Sequence, residues 1–137
     1  MPTPGWNDDG TMIADLAQFD VLQEIAEAER HRPWASGIHS RTLFKKPDLR
    51  VVLISMEAEG RLKEHHADGT ISLYVLKGQI RYSTQGEVYE LRTGNLFTLG
   101  ASIPHSVEAV EESAFLLTIS WPSGEKLQDM PHRGYGT

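Results

Sequence analysis

Two short segments of the chain carry histidines in surroundings that could hold a metal ion or a polar ligand. The first segment contains Glu64, His65 and His66, and the second contains His105 directly after Pro104. Imidazole nitrogen is a good ligand for Zn, Fe, Ni and Cu, and such a site needs several ligands that converge from different strands. Two histidine segments separated by strand-like sequence could supply these ligands.

Strand alternation predicts which of these side chains share a face. In a regular strand Glu64 and His66 point to one side and His65 to the other, because alternate residues face opposite ways. With His105 they would form a set of two histidines and one carboxylate, which suits non-haem Fe(II), Mn(II) or Ni(II). A β-bulge at the histidine pair would instead turn His65 inward and give up to three histidines. The alternatives to a metal site are a charged rim strand at residues 63–66 and a core histidine at position 105 that bonds a backbone carbonyl.

The predicted inward faces of two further strands enclose a pocket. His105 shares its face with Val107, and Ile71, Leu73 and Val75 share a face of the strand that follows the first histidine segment. These side chains are aliphatic apart from the histidine. The pocket is therefore expected to prefer a ligand with an apolar body and one polar or anionic group that an imidazole can meet.

The apolar periodicity divides the chain into a helix and a series of strands. A helix is predicted from Asp20 to Arg32, with Asp20 as its N-cap, Gln23 three residues further on and Pro33 as its stop. After residue 40 the period becomes that of strands, separated by turns that contain Gly, Pro and Asp. The predicted strands are 41–44, 50–57, 71–76, 80–83, 88–91, 96–99, 106–110 and 115–120. Short strands without intervening helices predict an all-β sandwich or barrel.

The spacing around the histidines resembles two motifs of the cupin superfamily. Its first motif is G-x5-H-x-H-x(3,4)-E-x6-G, and counting back from Gly78 places His66 at the second His, Glu64 at the first His and Ile71 at the Glu. Gly60 lies near the opening Gly. The segment 73–78 is also similar to the family's strand and turn after this motif.

The second cupin motif is G-x5-P-x-G-x2-H-x3-N. Gly94 and His105 match it at the right separation, while Gly100, Ser102 and Ala109 stand at the Pro, Gly and Asn positions. The resemblance covers roughly residues 40 to 120. It implies an all-β, double-stranded β-helix (cupin or jelly-roll) barrel, here with an N-terminal α-helix, and a divalent metal in the barrel. The expected division is an N-terminal arm and helix at 1–35, the cupin barrel at 36–122 and a C-terminal tail at 123–137.

Composition excludes several classes of partner. The 137 residues carry 13 basic and 19 acidic side chains, and the net charge of -6 argues against a nucleic-acid backbone as partner. No run of 18 apolar residues occurs, and the first residues lack the pattern of a signal peptide, so no membrane association is expected. The absence of Cys excludes disulfides and fits a cytoplasmic location.

These features predict a protein that binds a small molecule in its barrel. A divalent metal (Fe, Mn, Ni or Zn) could be held by Glu64, His66 and His105, with His65 as the alternative ligand. The other hypothesis is a metal-dependent cupin enzyme, of dioxygenase or isomerase type, that acts on a small organic substrate. The superfamily contains enzymes as well as binding proteins, so the fold alone does not select a reaction.

A homodimer is also predicted. Small open barrels have edge strands that must be covered, and association of two copies through a strand or a helix is a common solution. The N-terminal segment offers an apolar face for this contact, formed by Leu16, Phe19, Leu22 and Ile25.

Overall fold

The computed structural model describes residues 15–122, where one α-helix precedes nine strands. The predicted tail 123–137 and residues 1–14 of the predicted N-terminal arm lie outside the described residues. The elements are helix α1 (Val21–Glu29), a short 3-10 helix (Ala35–Gly37) and strands β1 (Ile38–Lys45), β2 (Leu49–Met56), β3 (Arg61–His65), β4 (Thr70–Lys77), β5 (Gln79–Thr84), β6 (Glu87–Arg92), β7 (Leu96–Leu99), β8 (His105–Ala109) and β9 (Ser113–Ser120).

Helix α1 begins at the predicted cap. The Asp20 carboxylate accepts a hydrogen bond from the backbone N–H of Gln23 at 3.1 Å, which satisfies one of the unpaired donors of the first turn. The helix ends at Glu29, earlier than the predicted end. Ile25 and Ala28 of the helix are buried, whereas Leu22 is 72% exposed. No helix within residues 15–122 is long and apolar enough to cross a membrane.

The strands form two antiparallel sheets that pack face to face. One sheet has the order β1-β2-β9-β4-β7 and the other has the order β3-β8-β5-β6. Alternation in β4 shows how the core is filled, because Ile71, Leu73 and Val75 are buried while Tyr74 between them is exposed. The two layers confirm the predicted all-β jelly-roll barrel with an N-terminal helix.

Helix α1 covers the outer face of the five-stranded sheet. Ile25 packs there against Leu43 of β1, Leu53 of β2 and Ala114 of β9. Strand β2 is therefore buried on both sides, which explains why its sequence is an almost continuous apolar run rather than an alternating one.

Strand β3 is missing from the strands that the apolar spacing predicts. Its side chains at Arg61, Lys63 and Glu64 are exposed, so no alternating apolar pattern marks it. Pairing with β8 forms this strand, and pairing partners that are distant in the sequence are not visible in a local pattern.

One end of the four-stranded sheet brings the second histidine segment beside the first. His105 begins β8 and pairs with Thr84 at the end of β5 and with His65 at the end of β3. The Thr84 hydroxyl donates a hydrogen bond of 2.8 Å to the carbonyl of Pro104. This bond fixes the backbone directly before His105.

Candidate functional site

A β-bulge in β3 decides which residue of the first histidine segment faces His105. Leu62 pairs with Val107, and the next pair is His65 with His105, so three steps along β3 match two steps along β8. The extra residue breaks the alternation, and directly opposed residues of an antiparallel pair point to the same face. His65 therefore faces inward beside His105, as in the bulged alternative.

The regular-strand expectation for Glu64 and His66 needs correction. Both side chains are exposed, and Glu64 lies in a groove on the outer face of the four-stranded sheet with Lys63 and Ser106. His66 follows the end of β3 and does not line the cavity that His65 and His105 share. The physical reason is the bulge, which shifts the alternation by one residue.

The rings of His65 and His105 are in direct contact. Their centroids are 4.4 Å apart with an interplanar angle of 64°. The ring of Tyr82 lies on the other side of His105, nearly parallel to it, with centroids 5.3 Å apart. His105 is only 5% exposed, so its ring orientation is fixed by packing.

Backbone carbonyls orient both imidazoles in the same way. Nδ1 of His105 donates to the carbonyl of Ile103 at 2.9 Å, and Nδ1 of His65 donates to the carbonyl of Lys63 at 2.7 Å. A carbonyl can only accept, so Nδ1 carries the proton in each ring. In a neutral imidazole held this way, Nε2 is the nitrogen that accepts a hydrogen bond or binds a metal.

Burial keeps His105 in its neutral form. Desolvation lowers the pKa of His105 below the ordinary value, the hydrogen bond to Ile103 opposes this effect, and the charges of His65 and His66 lower the pKa further. At neutral pH the His105 ring is therefore an acceptor at Nε2.

Tyr82 is a polar residue of the site that is absent from the site residues predicted from the sequence. Its ring is buried in the core, and its hydroxyl has no hydrogen-bond partner within the described part of the chain. Burial raises the pKa of Tyr82, so the hydroxyl stays protonated and able to donate. An alternating strand gives no local signal for this role, because a buried Tyr is most often simple core packing.

The cavity between the two sheets is small. Its volume is about 10 Å³, close to the space that one water molecule needs. Its lining residues are Ile54, Leu62, His65, Leu73, Tyr82, His105, Val107, Phe115 and Leu117. Leu73 and Val107 thus lie where the sequence predicts them, whereas Ile71 and Val75 are buried in the core without lining this cavity.

The donor set does not fit the divalent metal that the cupin resemblance implies. No group of three or more His, Cys, Asp or Glu side chains suited to a metal ion occurs between residues 15 and 122. Ile71, at the motif's Glu position, is a buried aliphatic residue and cannot bind a metal. The predicted set of Glu64, His66 and His105 is not brought together.

Comparison with solved structures places the fold among the cupins. A cupin 2 conserved barrel domain protein from Leptotrichia buccalis is 30% identical over 69% of this chain and 46% of its own, with a TM-score of 0.62. A conserved protein of unknown function from Streptococcus pyogenes is 26% identical over 66% of this chain and 80% of its own, with a TM-score of 0.62. An RmlC-like cupin from Shewanella frigidimarina is 20% identical over 67% of this chain and 82% of its own, with a TM-score of 0.60. The predicted membership of the cupin superfamily is confirmed.

A family model narrows this class. The model of the AraC-like ligand binding domain matches residues 51–134, which include every strand from β3 to β9. The chain belongs to the AraC-like ligand binding domain family. No curated protein sequence matches the chain.

Proposed function

We propose that this protein binds a small organic molecule at the end of the barrel where His65 and His105 meet. The observation that carries the proposal is the ring pair itself, at 4.4 Å, with each Nδ1 bonded to a backbone carbonyl. Two imidazoles held in fixed orientation at the rim of an apolar core are typical of the few polar groups that orient a ligand in its pocket. Membership of a ligand-binding family supports the same conclusion.

The chemistry of the site favours a ligand group that donates hydrogen bonds. His105 is neutral at pH 7 and accepts at Nε2, because burial lowers its pKa. A hydroxyl, an amine or an amide N–H would complement this acceptor, and the Tyr82 hydroxyl adds a donor for an oxygen of the same ligand. A carboxylate would meet a neutral ring instead of a charge, so the anionic ligand that the sequence suggests has less support.

The size of the cavity limits how much of the ligand enters. A volume of about 10 Å³ admits the polar head of a ligand but not its body. Leu62 and His65 are half-buried, and so they form the accessible rim of the cavity. The body of the ligand is proposed to lie over this rim.

Thermal melts with a matched ligand series test the proposal. The series is an alcohol, an amine and a carboxylate on the same carbon skeleton, each at millimolar concentration. We expect the alcohol and the amine to raise the midpoint of the parent protein, and to leave the midpoint of His105→Phe at its own unliganded value. His39→Phe is the matched control, because it removes an imidazole that lies away from this cavity, and it should respond like the parent. A response to the carboxylate alone, or an undiminished response of His105→Phe, would contradict the proposal.

The alternative function, a metal-dependent dioxygenase or isomerase, has weaker support. Catalytic zinc sites have three protein ligands, and the facial triad of non-haem iron oxygenases has two histidines and one carboxylate. His65 and His105 supply two imidazoles, while Glu64 is exposed on the outer face of the sheet. The proposal therefore assigns ligand binding to this site and no reaction.

The proposal also includes a homodimer in the cytoplasm. Of the four apolar residues predicted for the contact, Phe19 and Ile25 pack on the barrel, whereas Leu16 is 84% exposed and Leu22 is 72% exposed. Exposed Leu side chains of this kind are available to a second copy. Light scattering should give twice the mass of one chain for the parent and the mass of one chain for Leu22→Glu. A parent protein of single-chain mass at micromolar concentration would contradict the dimer. The cytoplasmic location is supported by the absence of Cys.

A further inference from the structure

A second pair of histidines lies where helix α1 meets β1. The rings of His31 and His39 are nearly parallel, with centroids 6.2 Å apart and an interplanar angle of 5°. The ring of Trp34 lies 5.9 Å from that of His39, and the Arg32 guanidinium lies 4.6 Å above the Trp34 ring. These residues precede the segment that the family model matches.

Trp34 connects the helix to the barrel. Its indole Nε1 donates a buried hydrogen bond of 2.9 Å to the carbonyl of Ala28 in the last turn of α1. Its backbone N–H donates to the carboxylate of Glu57, directly after β2, at 3.2 Å. The rings of Trp34, His39 and His31 are therefore part of the contact between α1 and the five-stranded sheet.

Water and protons have access to this contact. A cleft of about 470 Å³ opens between α1 and β1, and both imidazoles line it. The charged groups around the cleft are Glu24 and Glu27 on the helix and Arg41 on β1. Arg41 is paired with Glu24 at 2.9 Å.

Strand β2 adds no charge directly opposite His39. Its residue paired with His39 is Ser55, and Glu57, after the end of the strand, binds the backbone of Trp34. The positive charges nearest to a protonated His39 are thus His31 and Arg41.

We propose that this junction is a proton-sensitive latch: protonation of His39, beside His31 and Arg41, at mildly acidic pH loosens α1 from the five-stranded sheet while the barrel remains folded. A positive charge on His39 is repelled by the Arg41 guanidinium, whereas the neutral His39 ring stacks on the His31 ring at 6.2 Å. The barrel does not need the docked helix in order to stay folded, because its own hydrophobic core lies between the two sheets.

The direction of the pH effect follows from His39. Burial first, and then the charges of His31 and Arg41, lower the pKa of His39 from its ordinary value of 6.5. A proton therefore binds better when the helix is loosened. Docking is complete above pH 6.5 and weakens as the pH falls below it.

An ion-pair cluster limits how far the helix moves. Lys77 lies 2.8 Å from Glu29 and 2.7 Å from Glu112, and Arg32 lies within hydrogen-bond distance of Glu112. These bonds to Lys77 and Arg32 lower the pKa of Glu112 to about 2, so Glu112 stays charged at pH 5. The C-terminal end of α1 therefore stays tethered through Arg32 and Glu112 while the rest of the helix pivots, which uncovers Leu53 on the outer face of the sheet.

Distance measurements between two spin labels test the latch. The chain has no Cys, so Ala26→Cys on α1 and Val88→Cys on β6 introduce two labels at exposed positions. We expect one narrow distance distribution at pH 7.5 and a second, displaced population at pH 5. His39→Gln, which cannot become charged, should keep the narrow distribution at both pH values. His66→Gln removes an exposed histidine outside the junction and should respond like the unsubstituted labelled chain.

Three results would overturn the latch. The first is a distribution that does not change between pH 7.5 and pH 5, and the second is a His39→Gln response equal to that of the labelled parent. If the labelled His39→Gln variant already shows the displaced population of distances at pH 7.5, His31→Gln is used instead for the comparison between the two pH values. The third result is a displaced population of distances in both His39→Gln and His31→Gln at pH 7.5, because the rings would then act by packing and not by charge.

Discussion

Two pairs of histidines in this molecule differ in what surrounds them. His65 and His105 lie against a cavity of about 10 Å³, and a backbone carbonyl holds Nδ1 of each ring. His31 and His39 lie in a cleft of about 470 Å³ and stack at 6.2 Å beside an arginine. Carbonyls hold the rings of the first pair in fixed orientations, whereas the rings of the second pair line an open cleft. The comparison shows that burial and backbone contacts, rather than residue type, decide the chemistry of an imidazole.

The largest expected difference between the pairs is in stability. His105→Phe removes the hydrogen bond to Ile103 and places a larger ring between Tyr82 and His65, and it should cost roughly 1–3 kcal/mol of unfolding free energy. His39 lies in the open cleft, so His39→Phe should cost about 0.5 kcal/mol of unfolding free energy or less. Urea unfolding of both variants measures this difference. Equal losses would remove the distinction between a buried pair and an open one.

The pH dependence of global unfolding gives a smaller difference. The pKa of His105 is lowered in the folded protein, chiefly by burial, so the unfolded chain binds its proton more readily. The contribution of His105 to stability is complete above pH 6.5 and is lost as the pH falls below that value. We expect the urea midpoint of the parent to fall between pH 7.5 and pH 5, and that of His105→Gln to fall less. A parallel fall in both proteins would mean that His105 does not titrate with unfolding.

Sequence reasoning succeeds where a pattern is local. The Asp20 cap and the inward face of His105 and Val107 follow from neighbouring residues, and the structure has them as predicted. The cupin spacing around Gly94 and His105 likewise led to the correct fold, because motif spacing reflects the length of strands and turns.

The first histidine segment shows where such reasoning fails. The inward residue is His65, because one extra residue in β3 faces β8 between Leu62 and His65. Register of this kind depends on a partner strand that is distant in sequence, and no local pattern reveals it. The small volume of the cavity has the same origin, since it depends on how Phe115 and Tyr82 from different sheets pack against each other.

The smallest expected effect is the binding of a divalent metal ion. Neither histidine pair is part of a cluster of three metal-binding side chains within residues 15–122, so we expect weak and substoichiometric binding. Calorimetric titration with Fe(II), Mn(II), Ni(II) and Zn(II) measures it, with His105→Ala and His39→Ala as the matched variants. A tight site with one metal per chain that disappears in His105→Ala alone would restore the metal hypothesis for the barrel.

Nitrogen chemical shifts of the imidazole rings test the binding proposal most directly. Protein labelled with ¹⁵N is observed at pH 7.5 while an alcohol from the matched series is added. The account predicts a protonated Nδ1 and an acceptor Nε2 in His105, with the Nε2 resonance moving as the ligand hydroxyl binds. The His39 resonances should remain in place. An Nε2 of His105 that is protonated before ligand is added, or that does not respond at saturation, would contradict the proposed site.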